Sequence, residues 1–183
     1  LQDANDASEL SSALLDFARA SYDVSQISFT NLRLDEILAE AKLALLQKNA
    51  GYKIGINYMG NASDDDENNY DFHGNPYLLQ VAFSNLIENA CKYSADKSCH
   101  IEIETNSDHI KIRFIDHGIG ISEKDLLKIF DLFYRGSNKN FEKGNGIGLS
   151  IVKRIVEIHE GKLTIDSEVS KGSVFTVTFP SKK

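Results

Sequence analysis

Three short segments carry residue types able to do chemistry. Between Pro76 and Tyr93, Leu79, Phe83, Leu86, Ile87 and Ala90 fall on one side at the ~100° per residue of an α-helix, and Asn85, Glu88, Asn89 and Lys92 share the other. Two amides, a carboxylate and an ammonium on one face could hold a metal ion and a polyphosphate together; an ordinary solvated helix face would show the same pattern. The second segment is the apolar run Ile112 to Ile115, ending in Asp116-His117-Gly118-Ile119-Gly120. A carboxylate at a strand end followed by alternate glycines lets backbone approach a flat ligand while the carboxylate accepts a hydrogen bond. The exocyclic amine of a purine suits it; a plain turn is the competing explanation. The third is Gly144-Asn145-Gly146-Ile147-Gly148-Leu149 at a helix start, where backbone amides and the helix N-terminus attract phosphate. No Lys-Ser or Lys-Thr follows its last glycine, so it is not a Walker loop. No strand directly precedes it, as the dinucleotide fingerprint requires.

The elements that must position these segments are legible from periodicity and turn residues. A helix is expected from Leu34 to Gln47, with Ile37, Leu38, Ala41 and Leu45 as its stripe and Asp35 and Glu36 in its first turn. Strands are expected over Tyr52–Tyr58 and Tyr70–His73, then over Ile101–Thr105 and Ile110–Ile115 on either side of the turn Asn106-Ser107-Asp108. Ser122 should cap a short helix reaching Phe130, and a further helix should run from Gly148 to His159. Lys162–Asp166 and Val174–Phe179 close the chain as a hairpin. Upstream, Leu10 to Arg19 has helical spacing but is too short to be stable alone, and Ser21 to Asn31 is a polar connector. The acidic run Asp64-Asp65-Asp66-Glu67 lacks the glycine and terminal glutamate of a calcium-binding EF-hand, so it is expected to be a solvated loop.

The chain has 183 residues, 42% of them hydrophobic and 26% charged, with 2 prolines. That balance excludes a disordered or collagen-like chain and fits one globular domain with something extra. No apolar run reaches the ~18–20 residues of a membrane-spanning helix, and no signal segment is recognisable. Residues 1–74 carry 13 acidic against 5 basic side chains, and residues 75–183 carry 14 against 15. Without a basic stripe no nucleic-acid partner is expected, and the near-neutral part is the better host for an anionic ligand. Cys91 and Cys99 alone cannot make a disulfide framework or a zinc site and are expected as reduced thiols.

In order and spacing, the motifs resemble those of the ATP-binding catalytic domain of sensor histidine kinases, in the superfamily shared with gyrase, heat-shock chaperones and mismatch-repair ATPases. Asn85-Leu86-Ile87-Glu88-Asn89-Ala90 with Lys92-Tyr93-Ser94 resembles the N box, and Asp116 to Gly120 the first glycine box. Phe130 to Arg135 resembles the F box, with Leu132 where many members have proline, and Gly144 to Leu149 the second glycine box. The resemblance covers roughly residues 30 to 180.

It implies an α/β two-layer sandwich, a mixed and mostly antiparallel sheet backed by three helices, with ATP between helices and lid. It also implies roles at matching positions. Asn89 with Asn85 would hold Mg²⁺ against the phosphates, Lys92 would neutralise phosphate charge, and Tyr93 would lie near the nucleotide. Asp116 would accept the adenine amino group, with Gly118 and Gly120 making room. Tyr134 to Asn145 would form a lid anchored from beneath by Phe133, and Arg135 would belong to the nucleotide-binding set. Gly144, Gly146, Gly148 and Leu149 would approach the phosphates, and Ser173 would support the adenine through water. Asn85, Glu88 and Lys92 are the candidate catalytic side chains.

The implied activity is transfer of the ATP γ-phosphoryl group to a histidine of a dimerisation domain, then relay to the receiver-domain aspartate of a response regulator. None of His73, His100, His109, His117 and His159 stands in a phosphoacceptor context, so the acceptor is expected upstream of this chain and these five to be structural or solvent-facing. Residues 1–29 would then be the tail of the second dimerisation helix with its connector, and residues 30–183 the catalytic domain. The parent would be a homodimer that could be anchored in the cell membrane, with this domain cytoplasmic and monomeric alone. Three other functions compete. Hydrolytic members of the superfamily resemble one another in carrying a glutamate where Asn85 stands, and Glu88 lies one turn along. A nucleotide-sensing module without transfer is the second alternative, and a serine-kinase anti-sigma factor is a smaller one.

Overall fold

A computed structural model of the chain describes residues 15, 18, 27–59, 70–136 and 145–181. Leu15 and Ala18 are helical; the rest of the expected helix over 10–19, and the acidic run at 64–67, lie outside the described residues. Strand β1 (Thr30–Arg33) pairs antiparallel with β3 (Asp71–Gly74), Thr30 opposite Gly74 and Arg33 opposite Asp71. The polar connector therefore ends in a strand. Its four residues show no apolar alternation, and its partner is distant in sequence, so nothing local announces it.

Helix α1 (Leu34–Lys48) follows without a break and buries Leu34, Ile37, Leu38, Ala41 and Leu45. Strand β2 (Lys53–Met59) runs parallel to β4 (Ser98–Thr105), so the chain must cross over between them, and it does so through β3 and helix α2 (Pro76–Tyr93). Asn75 caps α2 by accepting the Leu78 N–H at 2.9 Å, with Pro76 in the first turn, where its missing donor is harmless. Strand β5 (His109–Asp116), the short helix α3 (Glu123–Leu126), helix α4 (Gly148–Ile158) and the hairpin β6 (Lys162–Glu168) and β7 (Gly172–Pro180) complete the order. The five-stranded sheet runs β2-β4-β5-β7-β6, antiparallel except at β2–β4.

The inner face of the sheet is set by strict alternation. Cys99, Ile101 and Ile103 of β4, Ile110, Ile112 and Phe114 of β5, and Phe175, Val177 and Phe179 of β7 are buried. Against them lies α2, between α1 and α4, burying Leu79, Phe83, Leu86, Ile87 and Ala90, the face its periodicity predicts. At ~1.5–3 kcal/mol for each large side chain removed from water, this face fixes the rotation of α2 and hence the direction of its polar side. The layers and the three covering helices match the expected sandwich. The helix expected to reach Phe130 stops at Leu126 instead, and 127–130 form turns: the Lys128 N–H donates to the Asp125 carbonyl at 2.9 Å and the Asp131 N–H to the Lys128 carbonyl at 2.8 Å, the tighter three-residue spacing. Cys91 and Cys99 are free and buried; burial, with carboxylates nearby, pushes the Cys91 thiol up to about 12. Among the described residues no helix is long and apolar enough to cross a membrane.

Candidate functional site

With the apolar side of α2 in the core, Asn85, Glu88, Asn89 and Lys92 form a half-buried polar row on its open side. The Asn85 Nδ2 donates to the Val81 carbonyl one turn back at 2.8 Å. That bond turns its Oδ1 toward the first turn of α4, where a Cβ on Gly148 would come within 2.5 Å of it. Any other residue at 148 would displace the Asn85 amide from this position. The Asn89 side chain makes no hydrogen bond among the described residues. Glu88 and Lys92 face each other as an ion pair, Oε1 to Nζ 3.0 Å, so the lysine ammonium is already engaged.

The loop after β5 is gripped from two sides. On one side the carbonyl of Tyr93, the last residue of α2, accepts the Ile119 N–H at 3.2 Å, and a Cβ at Gly118 would collide with that same carbonyl. On the other, the turn between β6 and β7 sends the Ser170 N–H to the Ile119 carbonyl at 2.8 Å, and the Ser167 hydroxyl accepts the Ile121 N–H at 2.9 Å. Gly120 sits at φ +65° against the Glu168 carbonyl, a conformation and a space that only glycine fits. The space at Gly118 and Gly120, expected to make room for a nucleotide, is occupied here by the neighbouring backbone of Tyr93 and Glu168.

Asp116 ends β5 at 6% exposure. Its Oδ1 accepts the Gly118 N–H at 2.8 Å, and it lies opposite Ser173 of β7. Burial pushes its carboxyl above the ordinary carboxylate range, while the Gly118 N–H and the backbone and hydroxyl donors of Ser173 pull the other way. A buried acceptor held by donors on one side is suited to meet one more donor.

The F-box segment is arranged differently from expectation. Phe133 is 61% exposed with φ +63°, not an anchor beneath a lid. Its backbone, with that of Tyr134, instead fills the space beside Gly146, where a Cβ would meet their carbonyl groups. Tyr134, expected inside the lid, donates its hydroxyl to the buried Asp125 Oδ1 at 2.7 Å, and Ser122 donates to Oδ2 at 2.9 Å. Asp125 therefore anchors this end of the segment. Arg135 is exposed. Leu149 packs against the core at the start of α4. Gly144 and the centre of the expected lid lie outside the described residues.

A family model described as "Histidine kinase-, DNA gyrase B-, and HSP90-like ATPase" matches residues 74–183. The chain belongs to this family. Membership makes it an ATP-binding domain. Among curated relatives, Heme sensor protein HssS of Staphylococcus saprophyticus is 42% identical over 108 residues, 58% of this chain and 23% of that protein. Sensor histidine kinase RcsC of Escherichia coli is 35% identical over 111 residues, 59% of this chain and 12% of RcsC. The chain thus spans under a quarter of the length of either relative. Among solved structures, full-length ShkA in complex with AMPPNP shares the fold, with a TM-score of 0.74 at 18% identity over 97% of this chain and 36% of that one.

For a member of this ATPase family, the sequence brought the right helix faces together but missed three supports. Asp125, in the first turn of a short helix, gave no local signal of its tie to Tyr134. Ser167 and Gly172 fell outside the hairpin strands as expected, which ended at Asp166 and resumed at Val174; β6 and β7 in fact extend to Glu168 and from Gly172. Extending the alternation toward a tight turn would have set Ser167 opposite Ser173.

Proposed function

We propose that this chain is the ATP-binding kinase domain of a sensor histidine kinase, presenting the ATP γ-phosphoryl group to a histidine of a dimerisation domain outside the chain for relay to a response-regulator aspartate. Asp116 supports the nucleotide part most directly: a buried carboxylate at a strand end, beside a glycine loop gripped in place, is suited to accept the amino group of adenine. Gly118 keeps that loop close to the end of α2, where Tyr93 lies, and Gly120 keeps it close to the β6–β7 turn. Gly144, Gly146, Gly148 and Leu149 belong to the phosphate side, where the α4 N-terminus favours negative charge. Arg135, Phe133 and Ser173 complete the proposed nucleotide set, Phe133 through its backbone.

The residues present fit Mg²⁺. The Asn85 Oδ1 is turned out of its own helix, and the Asn89 amide is uncommitted among the described residues; both offer the oxygen donors a hard cation prefers. When bound, the ion would neutralise phosphate charge and orient the γ-phosphoryl group. Lys92 would turn from Glu88 toward the phosphates, a motion a half-exposed pair worth only ~0.3–0.5 kcal/mol permits. What the protein supplies to such a transfer is chiefly positioning and charge stabilisation. Asn85, an amide, cannot take a proton from water, and Glu88 stands one turn along from that position, so hydrolysis is disfavoured.

Residues 1–29 would belong to the dimerisation helix and connector, and residues 30–183 to the catalytic domain of a homodimeric parent, on the cytoplasmic side. The relatives named as sensor kinases and the nucleotide-bound ShkA neighbour support this assignment. Incubation with γ-labelled ATP tests it. The chain alone should remain unlabelled, and a separate dimerisation fragment of the parent carrying its histidine should acquire label, slowly because docking is no longer intramolecular. Rapid phosphate release by the chain alone, abolished by Glu88→Ala, would establish a hydrolase instead.

A further inference from the structure

Three neighbouring strands place Ser167, Ser173 and Asp116 in one row. Asp116 of β5 is opposite Ser173 of β7, and Ser173 is opposite Ser167 of β6. Residues directly opposite on antiparallel strands share a face, so the row leads from the buried carboxylate toward the edge of the sheet. The Ser167 and Ser173 Oγ atoms are 2.9 Å apart. The Ser173 hydroxyl also bears on the Asp116 carboxylate and favours its charged form. Ser167 donates to the Gly172 carbonyl at 3.0 Å, which fixes its Oγ at the start of the β6–β7 turn. Ser167 in turn accepts the Ile121 N–H at 2.9 Å.

We propose that Ser167 is a positioning residue for nucleotide recognition, its hydroxyl joining the far end of the glycine loop, at Ile121, to the Asp116 carboxylate through Ser173. The role rests on Asp116 being the adenine acceptor. One hydroxyl thereby holds both ends of the segment 116–121: Ile121 directly, and Asp116 through a single intermediary. Removing it frees the Ser173 hydroxyl to rotate, leaves the Ile121 N–H without its acceptor, and lets the carboxylate drift from the direction in which it meets an amine. Threonine keeps the hydroxyl; valine has the same shape without it.

Calorimetric titration of the whole chain with ATP and with inosine triphosphate, which lacks the exocyclic amine, tests this on Ser167→Thr, Ser167→Val, Asp116→Asn and the Ser167→Val/Asp116→Asn double variant. Ser167→Ala serves as a second, smaller hydroxyl-free variant should valine prevent folding, and thermal midpoints report the fold. Ser167→Val should weaken ATP about tenfold and shrink the preference for ATP over inosine triphosphate. Ser167→Thr should stay within about twofold of the parent, and Ser167→Val should add little once Asp116→Asn is present. Parent-like ATP affinity in folded Ser167→Val or Ser167→Ala, with Asp116→Asn impaired, would overturn the positioning role and leave the adenine assignment standing. Equal impairment in Ser167→Thr and Ser167→Val, or losses that simply multiply in the double variant, would overturn it too. Unchanged ATP affinity in Asp116→Asn would overturn the adenine assignment itself, and the role of Ser167 with it.

Discussion

The backbone N–H of Asn75 donates to the Nε2 of His159 at 3.0 Å, joining the cap of α2 to the end of α4 across 84 positions of sequence. The other ring nitrogen, Nδ1, lies 2.7 Å from the Ile155 carbonyl and donates to it, which fixes the neutral tautomer. The ring is only 3% exposed and is surrounded by Phe29, Phe72 and Phe179. Asn75 also sends its Nδ2 to the Ser28 carbonyl at 2.9 Å. The segment leading into β1 is therefore tied to the far ends of both helices that carry the polar row and Gly148.

Replacing His159 by alanine should cost about 2–4 kcal/mol, since it empties an aromatic-lined position and leaves the Asn75 N–H without its acceptor. Urea unfolding at neutral pH checks the value. A midpoint shift equivalent to under about 0.5 kcal/mol would mean that the ring is not the joint between α2 and α4.

Asp116→Asn should lose nucleotide affinity by about 1.5–3 kcal/mol, the range of a hydrogen bond to a charged group, while the fold is kept or gains stability. The sign follows from the raised carboxyl. The folded chain takes up this proton before the unfolded chain, whose carboxyl titrates near 3.8. The stability contributed here therefore rises as pH falls through the raised folded value and is complete below the unfolded one; at neutral pH the buried charge is unfavourable. Titration calorimetry paired with thermal melts separates the two effects. A variant that binds normally, or one that unfolds, contradicts the prediction.

Asn89→Ala should reduce ATP affinity in the presence of Mg²⁺ more than in its absence, because the carbonyl proposed to face the ion is removed while the helix gains a better helix former. Parallel titrations with Mg²⁺ and with a chelator decide it. Equal losses in both would assign Asn89 to the nucleotide rather than the ion.

Gly120→Ala should destabilise by about 2–4 kcal/mol, because a left-handed residue acquires a Cβ that meets the Glu168 carbonyl. Thermal or urea melts measure it. A near-neutral effect would show that the β6–β7 turn yields easily and does not grip the loop.

Where a side of an element repeats locally, the sequence was sufficient. The α2 stripe from Leu79 to Ala90 placed Asn85 and Asn89 outward without any knowledge of the sheet, and the alternation from Ile110 to Phe114 placed Asp116 at a strand end. Features set by distant partners were not legible. Strand β1 pairs with β3 through only four residues, and His159, one of five histidines expected to be structural or solvent-facing, turned out to be a buried joint only because Asn75 meets it. Phe133, to which the family resemblance gave an anchoring place beneath the lid, instead has a left-handed backbone packed beside Gly146 and an exposed ring, an arrangement set by a residue thirteen positions away.

The seam between β5 and β7 has a consequence for how the domain assembles. The hairpins β4–β5 and β6–β7 are each local in sequence, whereas the ladder joining them must close a loop containing α3 and α4. Local pairings form quickly, and distant ones bear the loop-closure entropy. Asp116 and the polar face of α2 stand on one side of this seam, and Ser167, Ser173 and Gly148 reach it from the other. Neither half carries a site by itself. A nucleotide that touches both binds only the joined state, so by mass action it acts as a rivet: its free energy of binding opposes the opening of the strand pairing that closes the longest loop in sequence.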